Sequence, residues 1–341
     1  MFNQDKKKQI KKKYSSFIWL LVGLILIFIF YRQVGIGKIF SKLSFLRWWQ
    51  LVLIFLIFFI GLFFPIKNWQ LIIRDRGNFR PPLKKITKFW LISFAMTYLT
   101  PTGYFGGEPF RASSLESEYN YPFKEGLLVA IIDNVATFSG VAFFGFFGAI
   151  LFFLKKEFDF GLLLSAWGLF ILLTIFLSMK LWKKEKFFDY LFRLFFLHKI
   201  KVKTENGHTP LSDEIKDYGN QAIDYIHKFS PRFVLDCLYS FFFKLMRILP
   251  IILCLYFLGT TVSLRRIFFL GVMIDMFRMA PLPAGLGSFE ASYLLTFSIF
   301  GLNLEVALAL SFLMRALDLA TAGLGLLFNT HHTVKLLKEG N

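Results

Sequence analysis

The sequence predicts an all-α polytopic membrane protein, with about six transmembrane helices plus two re-entrant helical hairpins in an inverted repeat. Three observations lead there. Apolar runs of roughly twenty residues, the length of helix that crosses a bilayer, recur in a 341-residue chain that is 56% hydrophobic and holds 47 phenylalanines. Two of the apolar stretches are broken by proline and glycine on one spacing. Lysine and arginine collect in the hydrophilic gaps, as they do in loops held against an anionic inner leaflet.

The broken stretches carry the repeat. Pro101, Gly103 and Glu108 recur as Pro283, Gly285 and Glu290, giving Pro-x-Gly-x-x-x-x-Glu twice, with Gly106 or Gly107 in the first copy and Gly287 in the second. Proline lacks the amide proton a helix interior needs, and glycine permits positive φ, so each stretch should open a helix. The expected backbone breaks are Pro101, Gly103, Gly107, Pro283, Gly285 and Gly287. Paired interruptions in corresponding places of two halves point to the binding site of a repeat-built transporter.

In chain order, residues 1–13 carry six lysines ahead of the apolar run 17–31. The sequence after it, Tyr31-Arg32-Gln33-Val34, is bulky and charged rather than a small-residue cleavage site, so this is an uncleaved first span. A second span is expected over about 45–65, and the seven Lys/Arg of 67–88 mark a cytoplasmic loop. The first hairpin occupies 89–112. Spans three to six fall at 127–153, 160–181, 233–258 and 304–328, with the second hairpin before the last. The segment 183–232 is a hydrophilic cytoplasmic insert, with a basic aromatic stretch at 187–196 and a charged helix at 213–227. The whole is one integral membrane domain over 1–341, its first repeat about 15–154 and its second about 160–329. Inner segments then hold about 26 Lys/Arg against about 8 outside, which places both termini in the cytoplasm.

The ionisable residues expected at membrane depth are Glu108, Arg111, Asp133, Lys244, Arg247, Asp275, Arg278, Glu290, Arg315 and Asp318. Glu108 with Arg111, Asp275 with Arg278, and Arg315 with Asp318 are each three apart and can pair along one helix. Two readings stand. These charges lock the hairpins as structural ion pairs, or they line a pathway in which cations hold a lipid phosphate and carboxylates hold a cationic head group or a proton. The candidate substrate-binding set is Glu108, Arg111, Asp275, Arg278, Glu290, Arg315 and Asp318. Lys244 and Arg247 either join it or snorkel to the interface.

Other chemistry finds no support in the residues. The net charge of +18 comes without a nucleic-acid motif. There is no phosphate-cradling loop, dinucleotide fingerprint or nucleophile elbow, and the five histidines lie in hydrophilic segments without metal-ligand spacing. No catalytic residue, metal or cofactor is therefore assigned. Cys237 and Cys254 share one predicted helix, about 25 Å apart at 1.5 Å per residue, and cannot bridge.

The second motif, Pro283-Ala284-Gly285-Leu286-Gly287-Ser288-Phe289-Glu290 with Gly301 and Arg315, and the first, matched at Gly107, Glu108 and Arg111, resemble one family. It is the transmembrane domain of bacterial lysylphosphatidylglycerol synthetases and their stand-alone flippase-like relatives, and the resemblance covers most of the chain. Where that family usually carries Glu-Arg and a later Asp, this chain has Asp133, Asn134 and Thr137, so the charge there is altered. The resemblance implies a multi-pass protein of the bacterial cytoplasmic membrane that moves phospholipid or a lipid-linked head group between leaflets. Its partners would be membrane phospholipids and the anionic inner leaflet, not nucleic acid, and a homo-oligomer is compatible with it. The full synthetases append a large soluble transfer domain after the last span, whereas this chain ends about thirteen residues after 328, so lysyl transfer is not expected. The rival classes are an enzyme of lipid head-group modification and a non-transporting envelope scaffold.

Overall fold

A computed structural model describes residues 25, 28–30, 32, 35–77, 79–100, 106–182, 201–204, 207–210, 230–280 and 282–339. The described chain is helical apart from one small hairpin. In order it forms α1 (Ile36–Ser44), α2 (Trp48–Gly61), α3 (Phe63–Gly77), α4 (Leu83–Leu99), α5 (Glu108–Tyr119), α6 (Phe123–Phe153) and α7 (Phe158–Trp182). The antiparallel strands β1 (Lys201–Thr204) and β2 (Gly207–Pro210) follow, then α8 (Ser230–Phe257), α9 (Leu264–Arg278), a 3-10 turn at Pro283–Gly285, α10 (Ser288–Ile299) and α11 (Leu304–Glu339).

Five stretches among the described residues are helices long and apolar enough to cross a membrane: Trp48–Gly77, Phe123–Phe153, Phe158–Leu177, Pro231–Phe257 and Leu304–Phe328. They coincide with the second to sixth expected spans. Of the first, only 25 and 28–30 are described, and they are helical. The stretches 187–196 and 213–227, with Pro101, Gly103 and Pro281, lie outside the described residues.

One boundary differs from the sequence reading. The expected loop 67–88 is helical to Gly77 and again from Leu83. Ile66, Trp69, Ile72 and Ile73 explain this, because they recur at helical spacing and are buried. Pro65 does not stop the helix, since it is the third residue of α3, where its missing amide proton has no intrahelical partner to lose.

Two compact units are formed, one of 1–66, 82–111 and 243–341, the other of 67–81 and 112–242. Small residues set the close helix approaches in both. In the first unit a Cβ on Gly325 would run into the Leu91 carbonyl, so α11 lies directly on the α4 backbone. The far end of α11 packs on α1 through Ile39 against Leu308 and Ala309, with Lys38 Nζ 3.2 Å from the Glu305 carboxylate at the surface. In the second unit, a Cβ on Gly126 would come within 2.8 Å of the Ala112 Cα, and one on Gly168 within 3.0 Å of the Ala142 carbonyl. These contacts seat α6 on α5 and α7. Tyr121, outside the spans, has its phenol pushed up to about 12 by burial first, then by the Glu125 carboxylate, with Arg76 opposing.

Candidate functional site

The second break forms as the residue types dictate. After α9 ends, Leu282 is extended, Ala284 and Gly285 take φ of 53° and 59°, and Gly287, at 79°, starts α10. Glycine adopts such angles without a Cβ penalty, but Ala284 is strained there. Its conformation is held from outside. Arg315 of α11 donates from Nη1 to the Ala284 carbonyl (3.0 Å) and from Nη2 to the Gly285 carbonyl (3.2 Å).

The same guanidinium grips Glu290 in a bidentate pair, Nε to Oε1 at 2.6 Å and Nη2 to Oε2 at 2.9 Å. A long bond of 3.4 Å runs from Nη1 to the Tyr98 hydroxyl near the end of α4. All five N–H donors of Arg315 are thereby used. Glu290 is fully buried, and its Oε2 also accepts from the Gly287 amide at 3.0 Å. That carboxylate thus satisfies an orphan donor at the N-terminus of α10 and sits at the positive end of its dipole.

A second cluster adjoins the first. Asp318, one helical turn beyond Arg315, takes Arg247 of α8 in a bidentate pair (3.0 and 3.4 Å) and Arg278 Nη2 at 2.6 Å. Lys244 Nζ lies 2.5 Å from Asp275 Oδ1. Phe289 joins the two clusters, because the guanidinium carbons of Arg278 and Arg315 lie 4.9 and 5.2 Å from its ring centroid. Arg247 packs on Phe58 at 4.6 Å.

These pairs correct the sequence expectation for Arg315 and Asp318, which take partners on other segments and not each other. Asp275 and Arg278 likewise reach Lys244 of α8 and Asp318 of α11. Lys244 and Arg247 turn inward to carboxylates. At the first break, Glu108 Oε2 accepts the Gly106 amide at 2.7 Å, and Arg111 Nε donates to Ser93 Oγ at 3.0 Å. A Cβ on Gly107 would collide with Ser93. Both motif glutamates therefore cap a glycine amide ahead of their own helix.

The motif residues placed above agree with a comparison that covers most of the chain. A family model described as the lysylphosphatidylglycerol synthase TM region matches residues 16–325. The chain belongs to that family. No curated protein matches it. Membership of the lysylphosphatidylglycerol synthase TM-region family makes this a multi-pass integral membrane protein related to lipid modification or translocation. Within the family motif, Gly301 takes φ of 63° at the turn between α10 and α11, a position only glycine fills without strain. Tyr98 and Gly325 escaped the sequence reading, the first as one aromatic among many, the second because its role exists only against the backbone of α4.

Proposed function

We propose that this chain translocates phospholipid between leaflets, and that the Arg247, Arg278 and Lys244 side of the network receives the lipid phosphate. One observation carries the reading. Lys244 with Asp275 lies within electrostatic reach of the cluster formed by Arg247, Arg278, Arg315, Glu290 and Asp318, so among the described residues of this site four cations meet three carboxylates, an excess of one positive charge. A single cation at the centre of a span costs on the order of 2.5–3.5 kcal/mol, and a phosphate is the anion a phospholipid brings to offset it. The donors of Arg315 are all engaged within the protein, which makes it a clamp on the break. Arg247 and Arg278 share the one carboxylate of Asp318, and their planar forks suit phosphate.

The two breaks support a path in the same place, since Tyr98 beside the first and Ala284 in the second meet on one guanidinium. The protein is a resident of the bacterial cytoplasmic membrane in this reading, with both termini inside. The test is reconstitution into vesicles carrying head-group-labelled lipids of several charges. Protein-dependent movement is expected for phosphate-bearing lipids and not for a diacyl lipid without phosphate. No protein-dependent movement of any lipid would overturn the reading.

A further inference from the structure

A second polar cluster, in the other unit, contains a carboxyl that the lipid site does not use. Asp236 of α8 is 3% exposed, and its Oδ2 is buried with no hydrogen-bond partner among the described residues. The helices around it are fixed by close contacts. A Cβ on Gly140 of α6 would lie 2.6 Å from Ser240 Cβ, Cys237 lies beside Ser139, and Phe241 packs on Phe144 and Phe147. These contacts advance along α6 and α8 in the same sense, so the segments run parallel. Asp236 is one turn before Ser240, and Asp133 is two turns before Gly140, which puts both on the shared face.

The cation within reach of Asp236 is already engaged by another carboxylate. Asp133 and Asp75 lie within its electrostatic reach, and the cation that does, Arg232, is bonded to Asp75 at 2.8 Å, with Arg74 on the same carboxylate at 3.0 Å. Asn68 of α3, 1% exposed, donates to Asp133 Oδ1 at 3.0 Å and leaves its own Oδ1 buried without a donor. The neighbouring side chains on α8 and α6, Cys237, Ser139 and Ser240, carry no charge. A buried carboxylate that faces two others, with Arg232 bonded to one of them, is costly to hold, whereas a protonated carboxyl is neutral and supplies a donor to the cluster.

We infer that Asp236 is a proton-binding site in the interior of the second unit, beside Asp133, whose carboxylate accepts from Asn68. The O–H bond forms at the Asp236 carboxyl, the proton comes from water, and no other bond changes. A buried carboxyl in a candidate spanning helix that takes and gives a proton is an element through which a proton gradient can act on this unit.

Infrared spectroscopy of the full-length protein in lipid vesicles at neutral pH tests this without any transport measurement. The wild type should show the carbonyl stretch of a protonated carboxyl, shifted down in heavy water. Asp236→Asn should remove that band, and Asp133→Asn should leave it. If Asp236→Asn does not fold, Asp236→Glu should keep the band at a displaced frequency. A wild-type spectrum without the band, or a band removed by Asp133→Asn and kept by Asp236→Asn, would overturn the assignment.

Discussion

At the scale of the residue, Arg315 joins three things that were separate in the sequence: a carboxylate, a strained turn and the end of α4. Breaking a buried ion pair by removing one partner costs about 3–5 kcal/mol, because the other charge is left uncompensated. Glu290→Gln is therefore expected to lower the unfolding free energy in detergent by about that amount, and unchanged thermal unfolding would contradict the clamp. Ala284→Gly acts in the opposite direction. Relief of a left-handed residue is worth about 1–2 kcal/mol, less about 0.5–1 kcal/mol for the freedom glycine gains when unfolded. A rise in stability of about 0.5–1 kcal/mol should follow, and a fall would show that Ala284 is not strained. The importance of Glu290 was legible because it follows a run of prolines and glycines in apolar sequence. Its partner was not, since spacing along one helix offered Asp318 to Arg315, and only the packing of α11 against the break brings in Glu290.

At the scale of the element, the helices and breaks were legible because proline, glycine and apolar length act locally. The stop at 67 was misread because two signals competed, the charge of Lys67, Arg74 and Arg76 and the buried periodicity of Ile66, Trp69, Ile72 and Ile73, and burial won. Asp236 lies inside an expected span with no backbone break beside it to mark it. The approach of α4 to α11 depends on Gly325, which nothing in the sequence separates from other glycines. Gly325→Leu is expected to destabilise the protein by about 1–3 kcal/mol through overpacking and to pull Tyr98 away from Arg315. Thermal unfolding of this variant beside Gly323→Leu, where no atom lies within 4 Å of a Cβ, gives the comparison. Equal effects at the two positions would remove the argument from close approach.

At the scale of the molecule, the distribution of lysine and arginine predicts that both termini and the insert face the cytoplasm. His208→Cys, in β2 of that insert, placed in a background with Cys237 and Cys254 replaced by serine, should resist a membrane-impermeant thiol reagent in intact cells and react after lysis. Labelling from outside would reverse the topology. The left-over positive charge of the ion network gives the most direct test of translocation itself. Arg278→Gln removes that charge while Asp318 keeps its bidentate bond from Arg247, so the fold should survive. The measurement is the rate of phosphate-bearing, head-group-labelled lipid movement in reconstituted vesicles, wild type against Arg278→Gln at matched insertion and thermal stability. A loss of about tenfold or more, equivalent to about 1.4 kcal/mol, is expected; a rate equal to the wild type would contradict the phosphate site.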